Sequence, residues 1–388
     1  MLPPRHHARL LLLTFLECAA AIFLERGIYF FTDERLHFTP TQNLWLAMLF
    51  GICYALGAWL SHPIAHRLGE KRMLRGLLVI LIGLHAWIGF MPHGIGLVVA
   101  FAGIGLMIGA KWPIIESYVN AGRSTHDTIK SVGRFNLAWA SSVPLTLAAV
   151  GPLLDGPYPA SMFWIALSLH VTGLGLTWPL PQVPAHLPDD HPHRPDGPTS
   201  RYYHALLRSS RWALLGSCAM MFLVAPLMPT IFDRLHVAVD WAPAASSLLD
   251  WVRLMAFFIL GWWTAWHGRR LPLVGAGVAL PIGFALILFG PNLLIVLLGE
   301  IIFGLAMGMC YYAALYYAMV VKNASVDAGG AHEAIIGSGV AIGPMLGLLG
   351  FGLAPAVGSS AGAMLISIGP LVLLCLGMGL WPLMRTAR

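Results

Sequence analysis

Five ionisable residues stand inside long apolar stretches of the sequence, namely Glu17, Glu25, Arg26, Lys111 and Glu300. A charged side chain at the centre of a lipid bilayer costs about 2.5–3.5 kcal/mol on insertion scales, and it is retained where it pairs with another charge or faces a water-filled cavity. Carboxylates and bases in such a setting can bind and release protons or make and break ion-pair gates. We expect these five residues to act in proton coupling or gating. The alternative is a set of static pairs that only neutralise one another.

Polar and aromatic side chains near these charges could contact a solute. Trp112 directly follows Lys111, and Asn136 lies in the next apolar stretch. Tyr312 and Tyr316 are four residues apart, so they share one face of a helix. We expect Trp112, Asn136, Tyr312 and Tyr316 to bind a solute by stacking or hydrogen bonding. Packing between helices, or a belt of aromatic residues at the membrane surface, is the alternative for each of them.

Three further charges have partners close by in the sequence. Glu116 lies near the end of its apolar stretch and is expected to pair with Arg134 or Arg123. Asp250 and Arg253 are three residues apart, which places them on one helical face as a local pair near the outer surface.

The other motifs predict neither a cofactor nor a metal site. His332-Glu333 lacks the second histidine of a zincin motif. His62 and His66, four residues apart, could bind zinc in principle, whereas the histidines and aspartates of 186–193 have the proline-rich spacing of a solvated linker. The five cysteines lie in apolar runs without paired spacing, which indicates buried thiols rather than disulfides. No nucleotide-binding loop is present, so ATP is not expected as the energy source.

Helices that cross a bilayer must position these residues. The chain has 388 residues, of which 58% are hydrophobic and 10% charged, against about 25% charged in soluble domains. Its apolar runs are continuous, which excludes a membrane barrel with alternating strands and favours spanning helices of about 20 residues. We therefore predict an all-α membrane protein with twelve transmembrane helices, at 10–31, 43–61, 74–91, 95–119, 131–154, 161–180, 212–232, 246–266, 271–290, 292–321, 334–357 and 361–384.

The distribution of basic residues orients the predicted helices. Of the 23 Lys and Arg residues, 18 lie on the side of the N-terminus and two, Arg35 and Arg234, on the other side; the remaining three lie within the spans. This asymmetry predicts both termini in the cytoplasm. It also explains the basic isoelectric point without a nucleic-acid partner, so none is expected.

The longest connection divides the chain into two similar halves. We predict a six-helix bundle over 1–180, a cytoplasmic linker over 181–211 and a second six-helix bundle over 212–388, related as pseudo-symmetric repeats. The repeat is supported by the Gly-x-x-x-Gly segments 105–109 and 304–308, and by the short basic turns at 69–72 and 268–270.

The turn after the second predicted helix resembles the signature loop of the major facilitator superfamily. It keeps the glycine and basic positions of Gly-x-x-x-Asp-Arg-x-Gly-x-Arg-Arg, here Arg67, Gly69, Lys71 and Arg72. His62 and His66 stand where the family has Gly and Asp. The resemblance implies that His66, Arg67, Gly69 and Arg72 form a conformational latch on the cytoplasmic side. With His66 in place of the acid, that latch would depend on pH.

A narrower similarity connects the chain to the proton-coupled oligopeptide transporters. Glu25-Arg26 and Tyr29 resemble part of their first-helix motif, Lys111-Trp112-Pro113 their fourth helix and Gly299-Glu300 their tenth. Ile22 replaces the first glutamate of that motif, so the shared feature is an ionisable set on helices 1, 4 and 10.

The major facilitator resemblance implies that helices 1, 4, 7 and 10 line a central cavity. Helix geometry places Glu17 and Lys111 at one depth, where they can meet, and Arg26 at a second depth, where it can reach Glu25 or Glu300. We expect an Arg26–Glu300 bridge that forms when the outer side closes. Once it breaks, the carboxylate in a low-dielectric cavity would take up a proton more readily.

These features predict a secondary active transporter, proton-coupled, that moves a small polar or amphipathic solute by alternating access. We expect a monomer in a bacterial-type inner membrane. A membrane enzyme would need nucleophile, base and orienting group at one depth, and a non-transporting sensor would need a soluble domain larger than the linker. These two remain the alternatives.

Overall fold

The computed structural model describes residues 4–120, 125–184, 197–321 and 326–385, and these residues form helices joined by turns, without a strand among them. The first half of the chain forms α1 (Pro4–Glu25), α2 (Gly27–Leu36), α3 (Pro40–Leu68), α4 (Glu70–Phe90), α5 (Gly94–Asn120), α6 (Thr125–Asp155) and α7 (Ser161–Leu176). The second half forms α8 (Gly197–Val224), α9 (Met228–Arg234), α10 (Ala242–Ala245), α11 (Leu248–Trp262), α12 (Leu271–Phe289), α13 (Leu293–Val321), α14 (Val326–Val357) and α15 (Ser360–Arg385).

Within the described residues, eleven helical segments are long and apolar enough to cross a membrane. The first of them combines α1 with α2, the sixth combines α8 with α9, and the seventh combines α10 with α11. The predicted helix at 161–180 corresponds to α7, which is apolar but has only 16 residues. Large apolar side chains such as Trp59 and Leu373 are about 70% exposed, as expected for surfaces that face lipid.

Local sequence signals explain several helix boundaries. The Thr39 hydroxyl accepts a hydrogen bond from the Gln42 backbone N–H, and Pro40 occupies the first helical position of α3. Gly69 has φ +82°, a conformation that favours glycine, and it forms the whole connection between α3 and α4. The predicted linker 181–211 is shorter than expected because α8 already begins at Gly197. Residues 185–196 of that linker, with their histidines and aspartates, lie outside the described residues.

The first and sixth membrane segments are interrupted. Arg26 leaves the helical conformation between α1 and α2, with φ −124° and ψ −41°. A 3₁₀ turn, Ala225–Leu227, joins α8 to α9, where Pro226 and Pro229 prevent regular hydrogen bonding. Interrupted helices are tolerated inside a membrane where neighbouring protein satisfies the freed backbone groups.

The two halves of the chain meet closely along α3 and α14. A Cβ atom on Gly51 would lie 2.3 Å from the backbone nitrogen of Ala341, and one on Gly337 would lie 2.6 Å from that of Ala55. Only glycine allows the two backbones to approach this closely. This contact forms one wall of the region in which the buried charges are found.

Candidate functional site

A cavity of about 80 Å³ lies between helices of both halves of the chain. The first half contributes α1, α3, α5 and α6, and the second contributes α8, α11, α13 and α14. The polar side chains of its lining carry both signs of charge and two phenols: Glu25, Arg26, Tyr54, Arg253, Tyr311 and Glu333. Its aromatic wall contains Trp112, Phe135, Trp139 and Phe222. The lining can therefore accommodate a solute with both polar and apolar parts.

Asp250 joins two arginines at this cavity. Its Oδ2 lies 3.3 Å from Nη1 of Arg26, and its Oδ1 lies 2.6 Å from Nη2 of Arg253. Arg26 also donates to the Ser246 carbonyl at 3.5 Å. Because Arg26 directly follows α1 and Asp250 lies in the first turn of α11, the cluster connects the two halves of the chain. The expected Asp250–Arg253 pair is thus confirmed, but it is buried and forms part of a larger cluster.

Arg253 extends from this cluster toward the aromatic wall. Its guanidinium carbon lies 4.8 Å from the ring centroid of Trp139, a cation–π geometry. Nη1 also lies 3.7 Å from the sulfur of Met307.

The expected bridge between Arg26 and Glu300 is wrong for this structure. Glu300 Oε2 instead accepts the backbone N–H of Leu249 at 3.3 Å, in the first turn of α11. Such N–H groups have no partner within their own helix, and a carboxylate beside them is stabilised by the helix dipole. Glu300 therefore acts at the start of the helix that presents Asp250, and Asp250 takes the place expected for Glu300.

Glu25 faces the cavity beside Arg26 and is partly exposed to it. Among the described residues, no hydrogen bond or ion pair to its carboxylate is found. Glu25 is also the last residue of α1 before the interruption. It is a carboxylate available to a proton or to a cationic group of a solute.

Glu17 and Lys111 meet as expected, at 2.6 Å between Oε2 and Nζ. His170 on α7 joins them, with its Nδ1 2.8 Å from the same Glu17 oxygen. All three side chains are fully buried. Lys111 Nζ also lies 5.1 Å from the ring centroid of Trp112, which lines the cavity.

A second histidine extends this buried cluster. The rings of His85 and His170 are 4.7 Å apart, and His85 Nδ1 lies 2.9 Å from the Leu81 carbonyl. A Cβ atom on Gly173 would lie 2.2 Å from Glu17 Oε1, so a glycine is required beside the carboxylate. Sequence reasoning missed both histidines, although single histidines within the apolar runs of α4 and α7 were a signal that could have found them.

A third group of ionisable residues lies where α5 meets α14. One ligand atom each of Glu116, His332 and Glu333 can be chosen so that all three lie within 4.8 Å of one another. Tyr54 on α3 donates its hydroxyl to Glu333 Oε2. The expected pairing of Glu116 with Arg134 is wrong, because Glu116 is fully buried and Arg134 is exposed. Arg123, the other partner considered, lies outside the described residues.

Of the aromatic residues predicted to bind a solute, some line the cavity and others do not. Trp112 lines the cavity as expected, but Tyr312 and Tyr316 do not. Tyr316 stacks on His267, with the ring centroids 4.6 Å apart, and Tyr312 packs edge-on against Trp266 at 5.5 Å. Tyr311, one position earlier, faces the cavity instead, because one residue turns a helix by about 100°.

Asn136 likewise does not line the cavity. Its Oδ1 accepts the indole N–H of Trp139 at 3.0 Å. Trp139 itself is a lining residue, so Asn136 orients a cavity residue from behind.

The side chains expected to form a latch are separated from the buried charges. His66, Arg67 and Arg72 are exposed, and none of them makes an ion pair or hydrogen bond to another described residue. Gly69 forms the tight turn described above. The loop instead contacts the segment after α7, where Lys71 Nζ donates to the Trp178 carbonyl at 2.8 Å.

Comparisons with known proteins agree with this architecture. The sequence model of the Major Facilitator Superfamily matches residues 10–347. Among curated proteins, none matches the chain in sequence. The fold is similar to the human organic anion transporter MFSD10 (TETRAN), with a TM-score of 0.68, 14% identity and coverage of 97% of this chain and 100% of that chain.

Two further solved structures share the fold. One is a point mutant of the nucleoside transporter NupG, with a TM-score of 0.69, 14% identity and coverage of 99% of this chain and 100% of the other. The second is a bacterial homolog of the human lysosomal transporter Spinster, in an inward-facing and unoccupied conformation. Its TM-score is 0.62 at 13% identity, with coverage of 98% of this chain and 96% of the other.

Proposed function

The chain belongs to the major facilitator superfamily, and on that premise we propose that it is a secondary active transporter that moves a small polar or amphipathic solute by alternating access, coupled to protons. Membership makes it a multi-pass membrane transporter of a small molecule. The proposal adds the coupling, the solute class and the mechanism. It also includes twelve spans in two six-helix bundles, 1–180 and 212–388, with both termini in the cytoplasm, and a monomer in a bacterial-type inner membrane.

The observation that carries this proposal is the charged cavity between the two halves of the chain. Burying a charged side chain at membrane depth costs free energy, so such residues are retained where they have a function. Here Glu25, Arg253 and Glu333 line one cavity together with Trp112 and Trp139. A solute with a charged or polar group and a ring or apolar part matches this lining. A purely apolar solute would leave the Glu25 carboxylate without a partner.

The proposed coupling uses the contact between Arg26 and Asp250. When the halves separate at this end, Asp250 leaves Arg26, and Arg26 becomes free to pair with its sequence neighbour Glu25. An unpaired cation beside a carboxylate favours the ionised form, so Glu25 would release its proton in the separated arrangement. Proton binding at Glu25 would thereby favour one of the two arrangements of the halves. Glu17, Lys111 and His170 form a second buried set that could store a proton.

The first experiment identifies a ligand. The purified full-length protein is screened by thermal shift against organic anions, nucleosides, amino acids and organic cations, at pH 5.5 and pH 7.5. We expect a ligand that raises the unfolding temperature, with a shift that differs between the two pH values. Stabilisation by none of these classes would count against the solute class proposed here.

The second experiment tests the coupling in proteoliposomes with an imposed pH gradient. Glu25→Gln is expected to lose gradient-driven accumulation of the ligand but to retain exchange of labelled for unlabelled ligand, because the neutral amide imitates the protonated acid. Glu34→Gln is the matched control, since Glu34 is exposed on α2. Undiminished gradient-driven accumulation in Glu25→Gln would remove Glu25 from the coupling.

A further inference from the structure

Glu116, His332 and Glu333 bring three potential metal ligands together from the two halves of the chain. Glu116 belongs to α5, and the other two residues belong to α14. Their side chains are at most 2% exposed, and the closest set of ligand atoms lies within 4.8 Å of one another. The sequence analysis predicts no metal site at any of these three residues.

The charges of this cluster are not balanced by the described residues. No Lys or Arg of the described ranges lies within ion-pair distance of either carboxylate. Both oxygens of Glu116 and both ring nitrogens of His332 are buried without a hydrogen-bond partner. Burying an unpaired carboxylate costs several kcal/mol, and an unpaired polar group adds about 1–3 kcal/mol. The arrangement therefore calls for a cation.

Two cations could meet this need, a proton shared by the carboxylates or a metal ion. A shared proton would satisfy oxygens of Glu116 and Glu333 but would leave His332 without a partner. A metal ion would use a lone pair from all three side chains. One imidazole nitrogen and two carboxylate oxygens form a ligand set that suits Zn²⁺, with a fourth position left for water or solute.

We propose that Glu116, His332 and Glu333 bind a divalent transition-metal ion, with Zn²⁺ as the best fit, between α5 and α14. Bonds of about 2.1 Å place tetrahedral ligands about 3.4 Å apart, so the ion would draw the three side chains slightly together. The Tyr54 hydroxyl, which donates to Glu333 Oε2, orients that carboxylate from behind, as groups outside the ligand set commonly do.

The backbone leaves room for this arrangement. A Cβ atom on Gly329 would lie 2.6 Å from Glu116 Oε2 and 3.0 Å from the Cα of Pro113. Any larger residue at position 329 would push the Glu116 carboxylate away from α14. Because the ligands come from both halves, bound metal would stabilise the arrangement in which α5 and α14 are in contact.

The test uses the full-length, tag-free protein in detergent after treatment with a chelator. Its background carries His62→Ala and His66→Ala, because that exposed pair could bind zinc by itself. Zn²⁺ binding is measured by competition with a metal indicator, and bound Co²⁺ by its visible absorption. We expect one ion per chain, a higher unfolding temperature with Zn²⁺, and a Co²⁺ spectrum without the thiolate band that Cys18 or Cys218 would produce.

Matched variants locate the ion. His332→Asn and Glu116→Gln are each expected to weaken Zn²⁺ binding at least 10-fold, and Tyr54→Phe about 10- to 100-fold as a change outside the ligand set. Glu70→Gln, at the start of α4, and His93→Asn, between α4 and α5, lie outside the cluster and should bind Zn²⁺ like the background. Size-exclusion profiles check that the variants are folded.

Three results would overturn the proposal. Zn²⁺ affinity unchanged in both His332→Asn and Glu116→Gln would show adventitious binding. A thiolate band would place the ion at the cysteines. The third result is that the parent protein binds no metal and Glu116→Gln raises its unfolding temperature. That result would show that the carboxylates of Glu116 and Glu333 share a proton. None of these measurements involves transport, so their outcome is independent of the proposed function.

Discussion

The carboxylate of Asp250 lies 3.3 Å from the guanidinium of Arg26, although 224 positions separate the two residues in the chain. The Asp250 side chain is fully buried and that of Arg26 is 5% exposed. The contact ties the end of α1 to the start of α11. Any movement that separates the halves at this point has to break it.

Asp250→Asn is expected to lower the unfolding temperature. Removing one partner of a buried ion pair costs about 3–5 kcal/mol, and here one substitution leaves Arg26 and Arg253 without their carboxylate. Thermal unfolding in detergent measures the effect. Asp233→Asn is the control: Asp233 is exposed, and a surface change of this kind stays within about 0.5 kcal/mol. Equal unfolding temperatures for the two variants would contradict the role of Asp250.

The same substitution is expected to expose the cavity. Cys18 and Cys218 line it and are at most 5% exposed, so their labelling by a maleimide reports opening. In a background where the other three cysteines are serine, the maleimide should react with Cys18 and Cys218 several-fold faster in Asp250→Asn than in the parent. If the labelling rates are the same with and without Asp250→Asn, the Arg26–Asp250 contact does not hold the cavity closed.

Glu17 and Lys111 should behave as a coupled pair. Glu17→Gln leaves a buried ammonium, and Lys111→Met leaves a buried carboxylate beside His170. The double variant removes both charges, and replacement of a buried pair by neutral groups is often close to neutral. We expect its unfolding temperature to exceed that of either single variant. Additive losses in the double variant would indicate that the contact carries no coupling energy.

Tyr311 and Tyr316 should differ in their effect on ligand binding. Tyr311→Phe removes a hydroxyl from the cavity lining and is expected to weaken binding of the ligand found in the screen about 2- to 10-fold, the loss of one neutral hydrogen bond. Tyr316→Phe keeps the stack on His267 and should leave affinity unchanged. The dissociation constants of both variants are compared with that of the parent. A larger loss in Tyr316→Phe would contradict the observed rotation of α13.

His267 should make the protein less stable in acid. It lies between α11 and α12, outside the membrane segments, and burial lowers its pKa from 6.5 to about 4. Between these values the unfolded chain binds a proton that the folded chain does not, so stability is complete above about pH 6.5 and falls as the pH drops toward 4. His267→Phe should therefore show a smaller fall in unfolding temperature from pH 7.5 to pH 5 than the parent. His93→Phe, an exposed site, is the control; an unchanged fall in His267→Phe would exclude this contribution.

Depth along the helix predicts the contact between Glu17 and Lys111, although it also allows the Arg26–Glu300 bridge that the structure does not show. Glu17 and Lys111 were placed at one level from the rise per residue alone, and they meet at 2.6 Å. Predictions that depend on the rotation of a helix about its axis are wrong for α13. Tyr311 faces the cavity in place of Tyr312 and Tyr316, because an apolar helix buried on several sides has no amphipathic pattern that identifies its inner face.

The amino-acid sequence by itself determined that this chain is a helical membrane protein, where most of its helices lie and that Glu17, Arg26, Lys111 and Glu300 are buried among them. Those properties follow from hydrophobicity and length, which are summed along the chain. Only the tertiary structure decided which charges meet. Asp250 rather than Glu300 reaches Arg26, His170 joins Glu17, and Glu116 approaches His332 and Glu333. Each of these contacts depends on the rotation and crossing of helices distant in sequence, and the packing of the whole set of helices determines both.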